Sequence, residues 1–148
     1  MSPCFSWKFS LAAGVLALLT PWVAAQPGGA LDIMVAPVHS AQGAVRLSLY
    51  RDAATFRKEA QAVRVIELPA QQGALQFHVE GLEPGRYAVM VYHDENANQK
   101  LDLRFGMFPT EGYGLSQNPK VIGPPKFEDS AFEVKREGTQ PLRIEMRY

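Results

Sequence analysis

Cysteine is almost missing from this chain: Cys4 stands alone and precedes the first apolar run. No internal disulfide can hold the fold, even in an oxidising compartment. Tryptophan occurs only at Trp7 and Trp22, both near the N-terminus. No apolar run approaches the roughly 20 residues that a spanning helix needs. Neither sign of charge dominates, with 15 Lys and Arg against 15 Asp and Glu. The basic side chains are scattered and alternate with acidic ones, so no basic stripe with interleaved aromatics offers a surface to nucleic acid. The three histidines, His39, His78 and His93, are far apart. No His-x-His or His-Glu-x-x-His spacing is present to support a zinc centre, and each is read as a surface or edge residue.

What is present begins with a leader. Lys8, the apolar residues 11–19 and the small residues Val23-Ala24-Ala25 follow the order of a secretory signal, with cleavage expected after Ala25. An uncleaved anchor is the other reading. Cys4 lies on the wrong side of the apolar run to become the lipid-bearing first residue of a lipoprotein. Cleavage removes Lys8 and both tryptophans, leaving 123 residues, 26–148, with 14 basic against 15 acidic side chains. That length fits one domain, secreted or periplasmic, with no stable membrane span once the leader is gone.

Apolar residues in the remainder recur at every second position. Leu31, Ile33 and Val35 alternate with polar or small neighbours, as do Val45, Leu47 and Leu49, then Leu75, Phe77 and Val79, then Leu142, Ile144 and Met146. Half-buried strands produce that period. Turn signals at Gln42-Gly43, Gln72-Gly73, Glu83-Pro84-Gly85, Gly138 and Pro141 separate the runs. With residues 63–68, 87–93 and 132–135 the total is about seven strands, the number expected of a single antiparallel Greek-key β-sandwich. A short helix is expected over residues 52–60, capped by Asp52 and anchored by Phe56. In Leu82-Glu83-Pro84-Gly85-Arg86-Tyr87, Pro84 and Gly85 supply turn torsions, and Tyr87 can tuck under the corner with its hydroxyl on backbone. This turn resembles those of transthyretin-like and collagen-adhesin-B-like sandwiches. The Gly- and Pro-rich residues 105–127 break the alternation, and their aromatics predict a loop packed down by its own side chains.

The sharpest chemistry lies at residues 93–102, His-Asp-Glu-Asn-Ala-Asn-Gln-Lys-Leu-Asp. Asp94, Asn96, Asn98 and Asp102 are short oxygen-bearing side chains at the spacing of a calcium loop, and Lys100 falls where such a loop offers a backbone carbonyl. Gln99 stands where that loop wants glycine, and Phe105 where it wants a bidentate glutamate. A carboxylate from elsewhere, Glu111, Glu128 or Asp129, must then complete the shell. The alternative is an Asx-turn loop in which Asp and Asn bond their own backbone. Nucleophilic catalysis lacks support: Gly114-Leu115-Ser116-Gln117-Asn118 misses the closing glycine of a nucleophile elbow, and no catalytic residue is assigned.

Four stretches together resemble the secreted bacterial family known as domain of unknown function 2141. They are Pro84-Gly85-x-Tyr87, His93-Asp94-Glu95-Asn96-x-Asn98 with Leu101-Asp102, Pro109-x-Glu111-Gly112-Tyr113-Gly114-x-Ser116, and Phe127-Glu128-Asp129-x-x-Phe132. The resemblance implies an exported β-sandwich, leads one to expect glycines where Ala97 and Gln99 stand, and places Glu111 and Tyr113 beside the acidic loop. Three functions follow. The first is a non-catalytic binding or structural module with end loops stiffened by Ca2+. The second is an ion-independent module that holds an envelope protein or glycan through the aromatics around Phe108 and Tyr113. The third is a hydrolase built on the loop carboxylates.

Overall fold

The computed structural model describes residues 28–120 and 122–148. The leader and its cut after Ala25 lie outside them. Every segment expected to be a strand forms one: β1 (Gly29–Val38), β2 (Ala44–Tyr50), β3 (Arg64–Pro69), β4 (Gly73–Leu82), β5 (Gly85–Asp94), β9 (Phe132–Val134) and β10 (Thr139–Glu145). Three short strands were not expected: β6 (Leu103–Arg104) just before the segment read as loop, and β7 (Phe108–Pro109) and β8 (Tyr113–Leu115) within it, with one helical turn, α1 (Phe127–Ser130), after them. One open sheet runs β10-β1-β4 and a second β3-β2-β5-β8, with β9 also on β5; β6 and β7 form a separate ribbon.

The expectation of a purely antiparallel sheet fails at one pair. β1 and β10 run parallel, from Ala30 opposite Thr139 to Ala36 opposite Glu145, whereas the other strand pairs are antiparallel. Side chains alternate with period two in either direction, so the pattern carries no information about strand polarity.

Leu31, Ile33 and Val35 of β1, Phe77 and Val79 of β4 and Ile144 of β10 meet Val45, Leu47 and Leu49 of β2 and Val89 and Val91 of β5 in one buried cluster. Each such side chain contributes about 1.5–3 kcal/mol relative to exposure. This burial stabilises a described chain that has no cysteine. The corner works as expected: the Tyr87 hydroxyl donates to the Glu83 carbonyl at 3.0 Å, and the Arg51 guanidinium lies 5.2 Å above its ring.

β5 is buried on both faces. Tyr50, Ala88 and Leu115 pack with Phe56 and Phe127 in a second apolar cluster on the far side of the sheet. Phe56 arrives there from the segment expected to be helical, which is a capped turn followed by a short 3-10 element, Glu59–Gln61. Asp52 does cap, accepting the Thr55 N–H at 2.9 Å. Arg57 then adopts φ 67°, which ends any right-handed helix. Arg46 fastens the segment to the sheet through Glu59, with Tyr92 and Ser48 donating to the same carboxylate. Burial and that carboxylate push the Tyr92 phenol well above the usual tyrosine range.

Candidate functional site

β5 delivers His93 and Asp94 to one end of the sheet, and the acidic loop begins there. Asp94 is fully buried, at 1 % exposure. Its Oδ1 accepts the Asn98 N–H at 3.0 Å and its Oδ2 the Gln99 N–H at 2.7 Å. Asn96 Oδ1 also accepts the Asn98 N–H, and Asn98 Oδ1 accepts the Lys100 N–H at 2.8 Å. The chain can turn this tightly because Ala97 and Gln99 adopt left-handed φ values of 58° and 62°. Glycine suits those torsions and other residues resist them.

Asp102 closes the loop from the far side. Asn96 Nδ2 donates to its Oδ2 at 2.6 Å, and Asn98 Nδ2 reaches both oxygens at 3.0 Å. Glu111, also buried, bridges the two ends: Oε1 accepts the Glu95 N–H at 3.2 Å and Oε2 the Asp102 N–H at 3.0 Å. Asp94, Asn96, Asn98, Asp102 and Glu111 are thus assembled at one end of the sheet, with Lys100 held in the loop by its amide. Glu128 and Asp129 enter no described bond with this loop; Asp129 caps the turn of α1 through the Lys126 N–H. Among the described residues, no group of three or more His, Cys, Asp and Glu side chains has metal-holding geometry.

The expectation of a surface or edge histidine fails for His93, which has 0 % exposure. Its Nε2 lies 2.8 Å from the Gln42 carbonyl, which can only accept, so Nε2 carries a proton, and Nδ1 shares a hydrogen bond with the Tyr148 hydroxyl at 2.9 Å. His93 therefore braces the loop base without bonding Asp94. His39 is exposed and stacks on the Tyr148 ring at 3.7 Å. His78 stands on the water-facing side of β4 between Asp32 and Glu80. Ser116 is buried, accepting the Val89 N–H at 2.9 Å and donating to the Ser130 carbonyl.

The expectation of a packed-down segment over residues 105–127 holds for one part of it only. Gly112 and Gly114 lie where a Cβ would collide with the Tyr148 ring and with Ile144, which seats β8 against its neighbours. Tyr113 is half-buried and exchanges backbone bonds with Arg147 at 2.9 and 2.8 Å. Phe105, Met107 and Phe108 are exposed.

A family model described as an uncharacterised protein conserved in bacteria, DUF2141, matches residues 33–141. The chain belongs to the DUF2141 family. The match runs from Ile33 in β1 to Pro141 in β10 and takes in the acidic loop and Glu111. No curated protein and no solved structure matches the chain. In this DUF2141 member Ala97 and Gln99, where the resemblance leads one to expect glycine, occupy the two left-handed positions of the loop, so the turn forms here at a conformational cost that glycine would avoid.

The Arg46-Glu59-Glu67 cluster, with Tyr92 and Ser48, is absent from the sequence reading. Arg46 and Glu67 occupy opposed positions on β2 and β3. Their pairing could have been found once the strands were aligned, whereas Glu59 arrives through a turn whose path the sequence does not disclose.

Proposed function

We propose that this chain is an exported, non-catalytic module with a transthyretin-like sandwich plan, and that a calcium ion stiffens its acidic end loop. Asp94, Asn96, Asn98 and Asp102 supply side-chain oxygens, Lys100 its carbonyl, and Glu111 the additional carboxylate. The observation that carries this reading is the bridge from Glu111 to the amides of Glu95 and Asp102. It closes the turn with a carboxylate from outside the loop, where the linear loop lacks its twelfth-position glutamate.

The donor set fits a hard cation on one condition. Asn96 and Asn98 turn their amide nitrogens toward Asp102, an arrangement that satisfies the carboxylate's hydrogen bonding without an ion. Calcium needs both amides to rotate and present oxygen, which gives up the bonds that their Oδ1 atoms accept from the Asn98 and Lys100 amides. The non-catalytic part is supported by Ser116 and His93, both fully buried and both bonded to backbone carbonyls.

Metal analysis and melting of protein stripped with chelator test the reading. Extracellular calcium modules bind at roughly 10⁻⁴ to 10⁻³ M, and ligand at one hundred times the dissociation constant adds about 2.7 kcal/mol. Millimolar calcium should raise the melting temperature by a few degrees, and Asp94→Ala should abolish the increment. Identical melts with calcium and with chelator would leave the ion-independent interaction module as the better reading.

A further inference from the structure

Residues 103–108 hold four large apolar side chains in water: Leu103 is 46 % exposed, Phe105 79 %, Met107 69 % and Phe108 61 %. β6 and β7 pair with each other and with no other strand, so the ribbon projects beside the acidic loop instead of joining a sheet. Its tip is a tight turn in which the Met107 N–H donates to the Arg104 carbonyl at 3.2 Å. Phe105 and Gly106 there have φ values of 54° and 69°. Glycine accepts that torsion freely, whereas an aromatic residue does so at a cost. The Phe105 ring meets the Arg104 guanidinium at 5.3 Å and otherwise stands largely in water. A strained, exposed aromatic that adds so little to the fold points to a role outside it.

We propose that this ribbon docks the protein on an anionic lipid bilayer, with Phe105, Met107 and Phe108 entering the interfacial layer and Arg104 at the level of the lipid phosphates. Three observations favour lipid over a protein groove. The tip is a projection: a Cβ added at Gly106 would meet nothing within 4 Å. Its backbone is largely closed on itself, through the Met107-to-Arg104 bond, the Thr110-to-Asp102 bond, the β6–β7 pairing and the missing N–H of Pro109. A tip so closed can leave water without stranding many donors, whereas a protein partner is normally met with hydrogen bonds across the interface.

The third observation is charge. Arg104 is exposed and is the one ionisable side chain of residues 103–110. The ribbon therefore carries a single positive charge that complements lipid phosphate, and a cation flanking an apolar tip is the arrangement that lets a long side chain reach back to headgroups. This docking does not depend on calcium occupying the loop.

The test uses Phe105→Trp in the full protein, compared with the parent protein so that any signal from Trp7 or Trp22 cancels. On vesicles of phosphatidylethanolamine and phosphatidylglycerol the added tryptophan should shift to the blue and be quenched by lipids brominated near the headgroup end of the chain. Phe105→Ser/Phe108→Ser should weaken vesicle binding, corrected for binding that the leader supports, on the order of a hundredfold. Its melting temperature should stay unchanged. Arg104→Glu should weaken binding to anionic vesicles but not to zwitterionic ones. An added tryptophan whose emission ignores lipid, or a double variant that binds as well as the parent, overturns the proposal. So does loss of the exposed tip in a concentration-dependent dimer without lipid.

Discussion

Residues 94–102 and residues 103–110 are neighbours in the chain, yet one commits its polar side chains to its own backbone while the other leaves its apolar side chains free. In the loop, Asp94, Asn96, Asn98 and Asp102 all take part in bonds within the same turn. In the ribbon, Phe105, Met107 and Phe108 stand in water. Substitutions in the first should thus be read mainly in stability and in the second mainly in binding. Glu111 joins them, because one of its oxygens holds the start of the loop and the other Asp102, the residue just before β6.

The largest effect should come from Asp94→Ala. A buried carboxylate that accepts two backbone amides is lost, and hydrogen bonds to charged groups are worth more than neutral ones. Denaturant unfolding should show a loss of about 3 kcal/mol even in chelator. A near-neutral result would mean that the loop frays freely and that its internal bonds do not stabilise the fold. Glu111→Gln should follow at about 1–2 kcal/mol, since one oxygen that accepted an amide becomes a donor facing it. Amide exchange should then quicken at both Glu95 and Asp102; quickening at one alone would break the link between the two regions.

Much of this was legible beforehand, for reasons that particular residues make plain. The period-two runs gave strands because one face of each meets the core, and Pro84-Gly85-x-Tyr87 gave a corner because its torsions and its hydroxyl act locally. The spacing of Asp94, Asn96 and Asn98 likewise acts within five residues. The burial of His93 follows from the run before it: residues 87–92 are apolar without alternation, the mark of a strand covered on both faces. The parallel partner of β10 and the arrival of Glu59 beside Arg46 are set by distant packing and leave no local trace. For Glu111, only the family resemblance placed it near the loop, since no sequence rule carries an acceptor sixteen residues back to the Glu95 amide.

Gln99→Gly sharpens the comparison from the other direction. The left-handed torsion at Gln99 costs an ordinary residue about 1–2 kcal/mol relative to the right-handed region, part of which glycine's freedom in the unfolded chain takes back. Stability should rise by about 0.5–1 kcal/mol, measured by the same denaturant curves. A loss would show that the Gln99 side chain has work in the loop beyond its backbone. In the ribbon, Phe108→Ala and Met107→Ala should each change stability by less than about 0.5 kcal/mol, as exposed substitutions do. A cost of several times that would mean the ribbon packs in solution and would erase its contrast with the loop.

The smallest effect belongs to a polar cluster remote from both regions. His78 has its Nδ1 on Asp32 and its Nε2 on Glu80, and only the imidazolium can donate at both nitrogens. Those bonds, Asp32 first and Glu80 second, raise its pKa above the ordinary 6.5. Folding therefore favours the protonated form, so the contribution is fully present below about pH 6.5 and fades as pH climbs through the raised folded value. The cluster lies open to water and salt, which keeps its contribution slight. Proton NMR of the His78 ring should show the raised midpoint, and Asp32→Asn should move it back toward 6.5. Melting temperatures should drift down only slightly across the same interval in low salt and not at all in molar salt. A large drop there would mean that an exposed trio of charges rivals the buried Asp94 carboxylate, contrary to the difference between charge in water and charge held by buried amides on which the contrast between loop and surface rests.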